Sequence, residues 1–268
     1  MNALFRFLER DSGSIHHAAY ALAISAIFTQ VLGLIRDRLL AGTFGAGELL
    51  DVYYAAFKIQ DFIFYAIGSL LSLAVLIPLL SQKLQNDGVD KTKLLLNSLL
   101  TVSFILIGLF ALVAFFFMPK IAALIFPGLV EGNYQTELIF LMRLLLLSPF
   151  FFSFSGILAS IVQLHNRFYI TAFSPLLYNF GIILGIVLLY PIFGLKGLGV
   201  GVLLGGFLHM SVQLPFVLSK GLLPHFTASI LWQDIKVVLN LSFYRGIGIS
   251  MHQIMLIFIL GFSTTLAA

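Results

Sequence analysis

The chain contains 268 residues, of which 60% are hydrophobic and only 10% are charged. A soluble domain usually carries about 25% charged residues, so this composition excludes an ordinary soluble fold and predicts an integral membrane protein. The chain has no cysteine, which excludes disulfides and cysteine-ligated metals, and its net charge of +4 is too small to indicate a nucleic-acid partner.

Seven apolar segments follow one another along the chain, each bounded by charged residues, proline or glycine. A bilayer crossing takes about 20 apolar residues, and every segment reaches that length. The segments cover residues 17–41, 52–80, 94–117, 138–164, 170–190, 197–218 and 241–266. The predicted fold class is therefore all-α, a polytopic membrane helical bundle with about seven transmembrane helices.

Lysine and arginine in the connecting segments predict the orientation of the bundle. With the N-terminus in the cytoplasm, nine basic residues fall on the cytoplasmic side and two on the opposite side, a bias that favours this orientation. The nine are Arg6, Arg10, Lys83, Lys91, Lys93, Arg167, Lys220, Lys236 and Arg245, and the two are Lys120 and Lys196. The connection 220–240 contains the only tryptophan and a helix-like pattern, so it is predicted to lie on the cytoplasmic membrane surface.

Charged and polar residues within the first two segments predict a polar cavity. A charge at the middle of the bilayer costs about 2.5–3.5 kcal/mol, so it needs polar surroundings. One helical face of the first segment and its adjoining strip carry Ser25, Thr29, Gln30, Gly33, Arg36 and Asp37. The second segment carries a longer polar stripe, spaced by three and four residues, that consists of Asp51, Tyr54, Lys58, Asp61, Tyr65, Ser69 and Ser72. Such a stripe is typical of a surface that faces another helix or a water-filled cavity.

A simpler interpretation of the same charges remains open. Asp37 could pair with a neighbouring arginine and Lys58 with Asp61, so that these groups only help helices to pack or sit at the level of the lipid headgroups. Arg143 lies close to the start of the fourth segment, where its long side chain is predicted to reach the membrane surface. Small residues in GLKGLGVGVLLGG, residues 194–206, predict close helix packing.

The motif LGLIRDRLLAGTFGAGELLDVYYAAFKI, residues 32–59, resembles the first-helix signature of the MurJ/MviN lipid II flippase family, in the multidrug/oligosaccharidyl-lipid/polysaccharide (MOP) exporter superfamily. Further similar motifs follow in order along the chain. They are IPLLSQ (77–82), HNRFYITAFSPLLYN (165–179), VQLPF (212–216) and RGIGISMHQI (245–254). The resemblance covers about the N-terminal half of the family's fourteen-span pattern.

This resemblance implies a flippase of the bacterial cytoplasmic membrane that moves lipid II, an undecaprenyl-diphosphate-linked peptidoglycan precursor, from the inner to the outer leaflet. It implies an N-terminal lobe over residues 1–219, a cytoplasmic linker over 220–240 and a seventh helix over 241–268 that starts a second lobe. No cofactor, metal or enzymatic step is expected. The expected partners are the lipid-linked glycan, membrane lipids and a second lobe or another subunit, which predicts that the functional unit includes sequence beyond Ala268. The substrate-cavity residues are predicted to be Gln30, Arg36, Asp37, Asp51, Lys58 and Asp61.

Departures from the family pattern keep other functions open. Where the family carries arginines, this chain has Gln30, Phe64 and Tyr65. One alternative is a related exporter of another polyprenyl-linked glycan or of a small cation, driven by an ion gradient. Another is a non-transporting membrane scaffold that recruits cell-wall enzymes.

Overall fold

A computed structural model describes residues 15–45, 47–68 and 72–266, and the elements within them are helical. The helices are α1 (Ile15–Phe44), α2 (Glu48–Gly68), α3 (Leu73–Ile125), α4 (Pro127–Val130), α5 (Gln135–Leu145), α6 (Ser148–Leu164), α7 (Phe168–Leu184), α8 (Tyr190–Phe193), α9 (Leu195–Ser211), α10 (Leu214–Ser219) and α11 (Trp232–Leu266). A π-helical turn, Gly185–Leu189, joins α7 to α8. The all-α prediction is confirmed, whereas Ser69 of the predicted stripe and the basic residues Arg6 and Arg10 lie outside the described residues.

The described residues contain five stretches that are long and apolar enough to cross a membrane, and a sixth is formed by the two parts of α11, which bend by 46°. One of the five stretches, Glu48–Ile125, is 78 residues long and contains both the second and the third predicted segment. Between these two segments, Gly88 interrupts the α3 helix with φ 83° and ψ −177°, a conformation that glycine adopts without steric cost. The predicted segments are therefore mostly helical in the described residues, with short turns at 146–147 and 212–213, and the predicted second–third connection lies at the Gly88 break.

Two apolar cores hold the bundle together. The first joins α2, the later part of α3 and α5 through buried side chains such as Ile63, Met118 and Leu141. The second joins the early part of α3 to α6 and α10 through side chains such as Leu96 and Leu158. Because helices such as α1, α3 and α11 also turn exposed apolar side chains outward, the surface between their ends is suited to contact lipid.

Glycines set the close crossing of α7 and α9. A Cβ atom added to Gly181 would lie 2.3 Å from the Cα of Gly205, and one added to Gly201 would lie 2.4 Å from the Cα of Gly185. Contacts this short are with backbone atoms, which cannot rotate away as a side chain can. The predicted role of the small residues in close helix packing is confirmed.

Helix α1 packs mainly against α7, and it shares far fewer contacts with α2. Ser25 Oγ donates a hydrogen bond to the carbonyl of Ala172, and the Phe44 ring meets the Tyr190 ring edge-on at 4.7 Å. Because these contacts occur in the same order on both helices, α1 and α7 run parallel. The polar face of α1 therefore meets the fifth predicted segment, and the cavity expected between the first two segments has α7 as a third wall.

The connection between α10 and α11, residues 222–231, is non-helical. Side chains of α3 hold its backbone: Asn97 Oδ1 accepts the amide of His225 at 2.9 Å, Thr101 Oγ1 accepts that of Thr227 at 3.0 Å, and Ser98 Oγ accepts that of Leu231 at 3.1 Å. The seventh helix begins at Trp232, earlier than the predicted start at residue 241. The predicted interfacial linker 220–240 is thus a non-helical connection followed by the first turns of α11.

Ion pairs connect the start of α11 to the part of α3 around Gly88, which we call the α3 turn. Lys83 Nζ lies 2.7 Å from Asp234 Oδ2 and 3.0 Å from Asp87 Oδ2, and Lys91 Nζ lies 3.2 Å from Asp87 Oδ1. Hydrogen bonds to Asp234 and then to Asp87 raise the pKa of Lys83 above its ordinary 10.5, and the hydrogen bond from Lys83 lowers the pKa of Asp87 below its ordinary 3.8. The depressed carboxyl pKa stabilises the fold above pH 3.8, and the raised amine pKa stabilises it below pH 10.5.

We expect this junction to stay closed below the raised pKa of Lys83 and to loosen as the pH rises through it, because Lys83 is the α3 residue that pairs with Asp234. Spin labels at Gln85 and Gln233 would report the separation of the two elements at pH 7 and at increasing pH above 10.5. Lys83→Gln should widen the distance distribution at pH 7, whereas Lys91→Gln should not, because Lys91 does not contact Asp234. A distribution unchanged by both high pH and Lys83→Gln would contradict the junction.

Candidate substrate-binding cavity

Arg36 is held at the junction of α1 and α7. Its Nε donates to Asp37 Oδ1 at 2.9 Å, its Nη2 lies 2.8 Å from the same carboxylate oxygen, and its Nη1 donates to Asn179 Oδ1 at 3.1 Å. The Arg36 side chain is 27% exposed and that of Asp37 is 46% exposed. An arginine fixed in this way presents its remaining N–H groups in a defined direction, and a guanidinium is suited to bind the oxygens of an anion.

Tyrosine side chains surround this ion pair. The charges of Arg36 and Asp37 both act on Tyr53 and Tyr54 of α2, and the charge of Arg36 also acts on Tyr178 of α7. Tyr53 is buried, whereas Tyr54 is 38% exposed. Phenolic hydroxyls are donors and acceptors, so α1, α2 and α7 together form a polar wall that can contact both the charged and the uncharged parts of a ligand.

The polar stripe of α2 lies on the open side of that helix. The opposite face is buried and apolar, with Val52, Ala56 and Ile63 among its residues. On the stripe, Asp61 accepts a hydrogen bond from the Gln60 amide, and its charge acts on Lys58 and on Tyr178 across the helix boundary. Asp61 of the stripe and Arg36 of α1 thus both act on Tyr178 of α7.

The predicted site residues fall into two groups. Arg36 pairs with Asp37, the charge of Lys58 acts on Asp61, and the charges of Arg36 and Asp61 both act on Tyr178. Asp51 and Gln30 are exposed, and neither side chain makes a hydrogen bond or an ion pair with another described residue. The structure therefore gives no contact that connects these two with the group around Tyr178.

The sequence-based prediction missed Asn179 and Tyr178. Asn179 is buried and binds Arg36, and Tyr178 links the charges of α1 and α2. A signal for both was present: SPLLYN places the two polar residues side by side within an otherwise apolar segment. A buried polar residue in a membrane span needs a partner, and Arg36 is the cation that needed one.

Aromatic side chains form a row next to this wall. The Phe64 ring lies 5.3 Å from the ring of Tyr65 and 5.3 Å from that of Phe152. The Phe152 ring in turn lies 5.1 Å from that of Tyr178. These rings connect α2 through α6 to α7, and they give this part of the wall an uncharged aromatic surface.

A polytopic helical bundle with charged residues between its helices is typical of a membrane transporter. The fold resembles that of a structure described as "Lipid II flippase MurJ, inward closed conformation", with a TM-score of 0.73 and 23% identity, covering 91% of this chain and 50% of that chain. It also resembles a MOP superfamily transporter from Pyrococcus furiosus, with a TM-score of 0.62 and 15% identity, covering 95% of this chain and 55% of that chain. These likenesses show the fold.

The family model described as "Lipid II flippase MurJ" matches residues 40–268, and the chain belongs to this family of multi-pass membrane transporters. It is 25% identical over 240 residues to a protein of Buchnera aphidicola named "Probable lipid II flippase MurJ", covering 88% of this chain and 47% of that protein. It is 28% identical over 214 residues to "Lipid II flippase MurJ" of Thermosipho africanus, covering 79% of this chain and 42% of that protein. The resemblance stated from the motifs is thus confirmed, and the chain spans about half the length of these relatives.

Proposed function

We propose that this chain forms one lobe of a flippase that moves lipid II from the inner to the outer leaflet of the cytoplasmic membrane. The observation that carries the proposal is Arg36, fixed by Asp37 and Asn179 on a polar wall of α1, α2 and α7 in a member of the MurJ family. A diphosphate is a dense anion whose oxygens match the planar donors of a guanidinium. No covalent step is required, because transport needs only two states of the cavity that differ in access and affinity.

The proposed orientation places the N-terminus in the cytoplasm. The excess of lysine and arginine on the cytoplasmic side supports this orientation. Helices α1 and α7 belong to the first and fifth predicted segments, and their parallel course is expected of two odd-numbered spans, which cross the membrane in the same direction. In this orientation the α3 break at Gly88 faces the cytoplasm, where polyprenyl-linked precursors are made available to the transporter. The lobe 1–219, the linker and the seventh helix then follow the domain order of the family.

A second candidate, export of a different polyprenyl-linked glycan, is favoured by one observation. Phe64 and Tyr65 stand where the family carries arginines, and they continue into the aromatic row with Phe152. Aromatic faces pack against the apolar faces of sugar rings and polyprenyl chains but add no positive charge. This wall would favour a glycan that needs fewer cationic contacts than the lipid II headgroup.

Binding of defined lipids to the purified chain tests the proposal. Native mass spectrometry would compare lipid II, undecaprenyl monophosphate and an undecaprenyl-diphosphate glycan of different sugar composition, each added at equal concentration. The proposed function predicts that lipid II is retained best, and that the monophosphate is retained least because it lacks one phosphoryl group for Arg36. Better retention of the other glycan would favour the second candidate, and equal retention of all three would contradict both.

A further inference from the structure

Arg143 supplies a hydrogen-bond donor that the α3 backbone lacks. Pro119 lies inside this helix and has no N–H, so the carbonyl of Phe115, four residues earlier, lacks its helical donor. Arg143 Nε donates to that carbonyl at 3.0 Å, and its guanidinium lies 4.7 Å from the Phe115 ring centroid. The side chain expected to reach for the membrane surface is therefore fixed against α3, and its terminal nitrogens keep their remaining N–H groups available.

A second cation lies on the same surface. Lys196 Nζ, at the start of α9, lies 5.3 Å above the ring of Phe140, which is one helical turn from Arg143 on α5. Within the described residues, neither Arg143 nor Lys196 has a carboxylate within ion-pair distance. Each of these two cations lies over an aromatic ring, and neither has an acidic partner to neutralise its charge. Such a pair at the membrane surface attracts an anion.

An apolar groove of about 540 Å³ includes Arg143 in its lining, together with Phe140, over which Lys196 lies. The groove lies between α3 on one side and the α5–α6 turn on the other. Its α3 wall continues from Phe115 to Gly108, a distance of about 10 Å along the helix, and the rest of the lining is apolar. Leu112 and Leu147 in the wall are more than half exposed, so the groove opens to the lipid phase.

The geometry points to a phospholipid site in which Arg143 and Lys196 bind the phosphate of an anionic headgroup and the groove between α3 and the α5–α6 turn holds an acyl chain. The cations lie at the same end of the bundle as Lys120, and the α3 wall of the groove continues from Phe115 beside Arg143 to Gly108, toward the middle of the span, as the chain of a phospholipid does. The site lies on the outer surface of the lobe, away from Arg36, and its occupant is a resident lipid of the bilayer. It is separate from the substrate wall, and its test does not involve transport.

The test is the retention of phosphatidylglycerol against phosphatidylcholine on the purified protein, measured by native mass spectrometry. We expect the wild-type protein to prefer phosphatidylglycerol, and Lys196→Gln to reduce this preference about tenfold, as the loss of one charge-assisted contact would. Gly108→Leu should reduce the retention of both lipids, because a Cβ at Gly108 has only the Phe150 ring tip at 4.0 Å and the longer side chain would fill the groove. Both variants keep the bond between Arg143 and Phe115.

Lys220→Gln is the matched control. Lys220 also lies over an aromatic ring, that of Phe216 at 5.5 Å, but at a different end of the bundle and away from the groove. Its replacement should leave the lipid preference unchanged. An equal effect of Lys196→Gln and Lys220→Gln, or no preference in the wild-type protein, would overturn the site. Displacement of phosphatidylglycerol by millimolar inorganic phosphate would also overturn it, since it would show an anion site that does not use the groove.

Discussion

Arg36→Gln should weaken the binding of lipid II by roughly ten- to hundredfold. A charge-assisted hydrogen bond contributes about 1.5–3 kcal/mol, and each 1.4 kcal/mol corresponds to about a factor of ten in affinity. In the proposed complex, the guanidinium of Arg36 supplies such bonds to the diphosphate. Glutamine keeps a side-chain amide of similar reach but removes the charge. The measurement is a titration of the purified protein with lipid II followed by native mass spectrometry.

Arg36 also stabilises Asp37, so the single variant changes both the proposed contact with the diphosphate and the ion pair with Asp37. Without Arg36, the Asp37 carboxylate would be left within a membrane span without its ion-pair partner. The double variant Arg36→Gln with Asp37→Asn removes both charges and lets the two amides bond to each other and to Asn179. We expect the double variant to regain the thermal stability of the wild-type protein and to remain weak in lipid II binding.

Lys91→Gln serves as the control for loss of one positive charge. Lys91 is 63% exposed and pairs only with Asp87 at the α3 turn, far along the chain from the proposed wall. It should bind lipid II as the wild-type protein does. If the double variant regains lipid II binding together with its stability, then Arg36 acts only in folding and the proposed role of its guanidinium is wrong.

The sequence predicts the helices well because each one must be apolar over a bilayer thickness. It does not predict which helices touch. The polar residues Ser25 and Arg36 mark the face of α1 that meets another helix, but nothing in the sequence of α1 indicates that this helix is α7. Their partners on α7 lie about 145 residues further along the chain, beyond the reach of any local pattern.

In the proposed wall as well, the sequence predicts features within one helix but not the contacts between helices. The spacing on α2 is enough to predict that Lys58 and Asp61 share one face, because that face follows from helical geometry alone. The effect of the Asp61 charge on Tyr178 depends on how α2 and α7 are arranged, and spacing within one helix does not contain that arrangement. The non-helical connection 222–231 escapes prediction for a related reason, since its backbone is held by side chains of α3 and not by a local pattern.

Gly205→Ala should destabilise the bundle by about 1–3 kcal/mol or more, the usual cost of overpacking a core. A Cβ at this position would lie 2.5 Å from the carbonyl oxygen of Tyr178 and 3.0 Å from Tyr178 Cδ2. Because the first of these atoms belongs to the backbone of α7, the helices must move apart to admit even one methyl group. The movement would carry Tyr178 and Asn179 away from Arg36, so the loss of stability should be accompanied by a loss of lipid II binding.

Gly206→Ala provides a control one residue away on the same helix. A Cβ at Gly206 would lie 3.5 Å from Phe151 Cβ, which is an ordinary van der Waals contact. Alanine also has a higher helix propensity than glycine, by about 1 kcal/mol, so this variant should melt at or above the temperature of the wild-type protein. Thermal unfolding in detergent, followed by circular dichroism, would compare the two. Equal melting temperatures for Gly205→Ala and the wild-type protein would mean that α7 and α9 do not cross as closely as their glycines indicate, and that the position of Asn179 against Arg36 does not depend on this crossing.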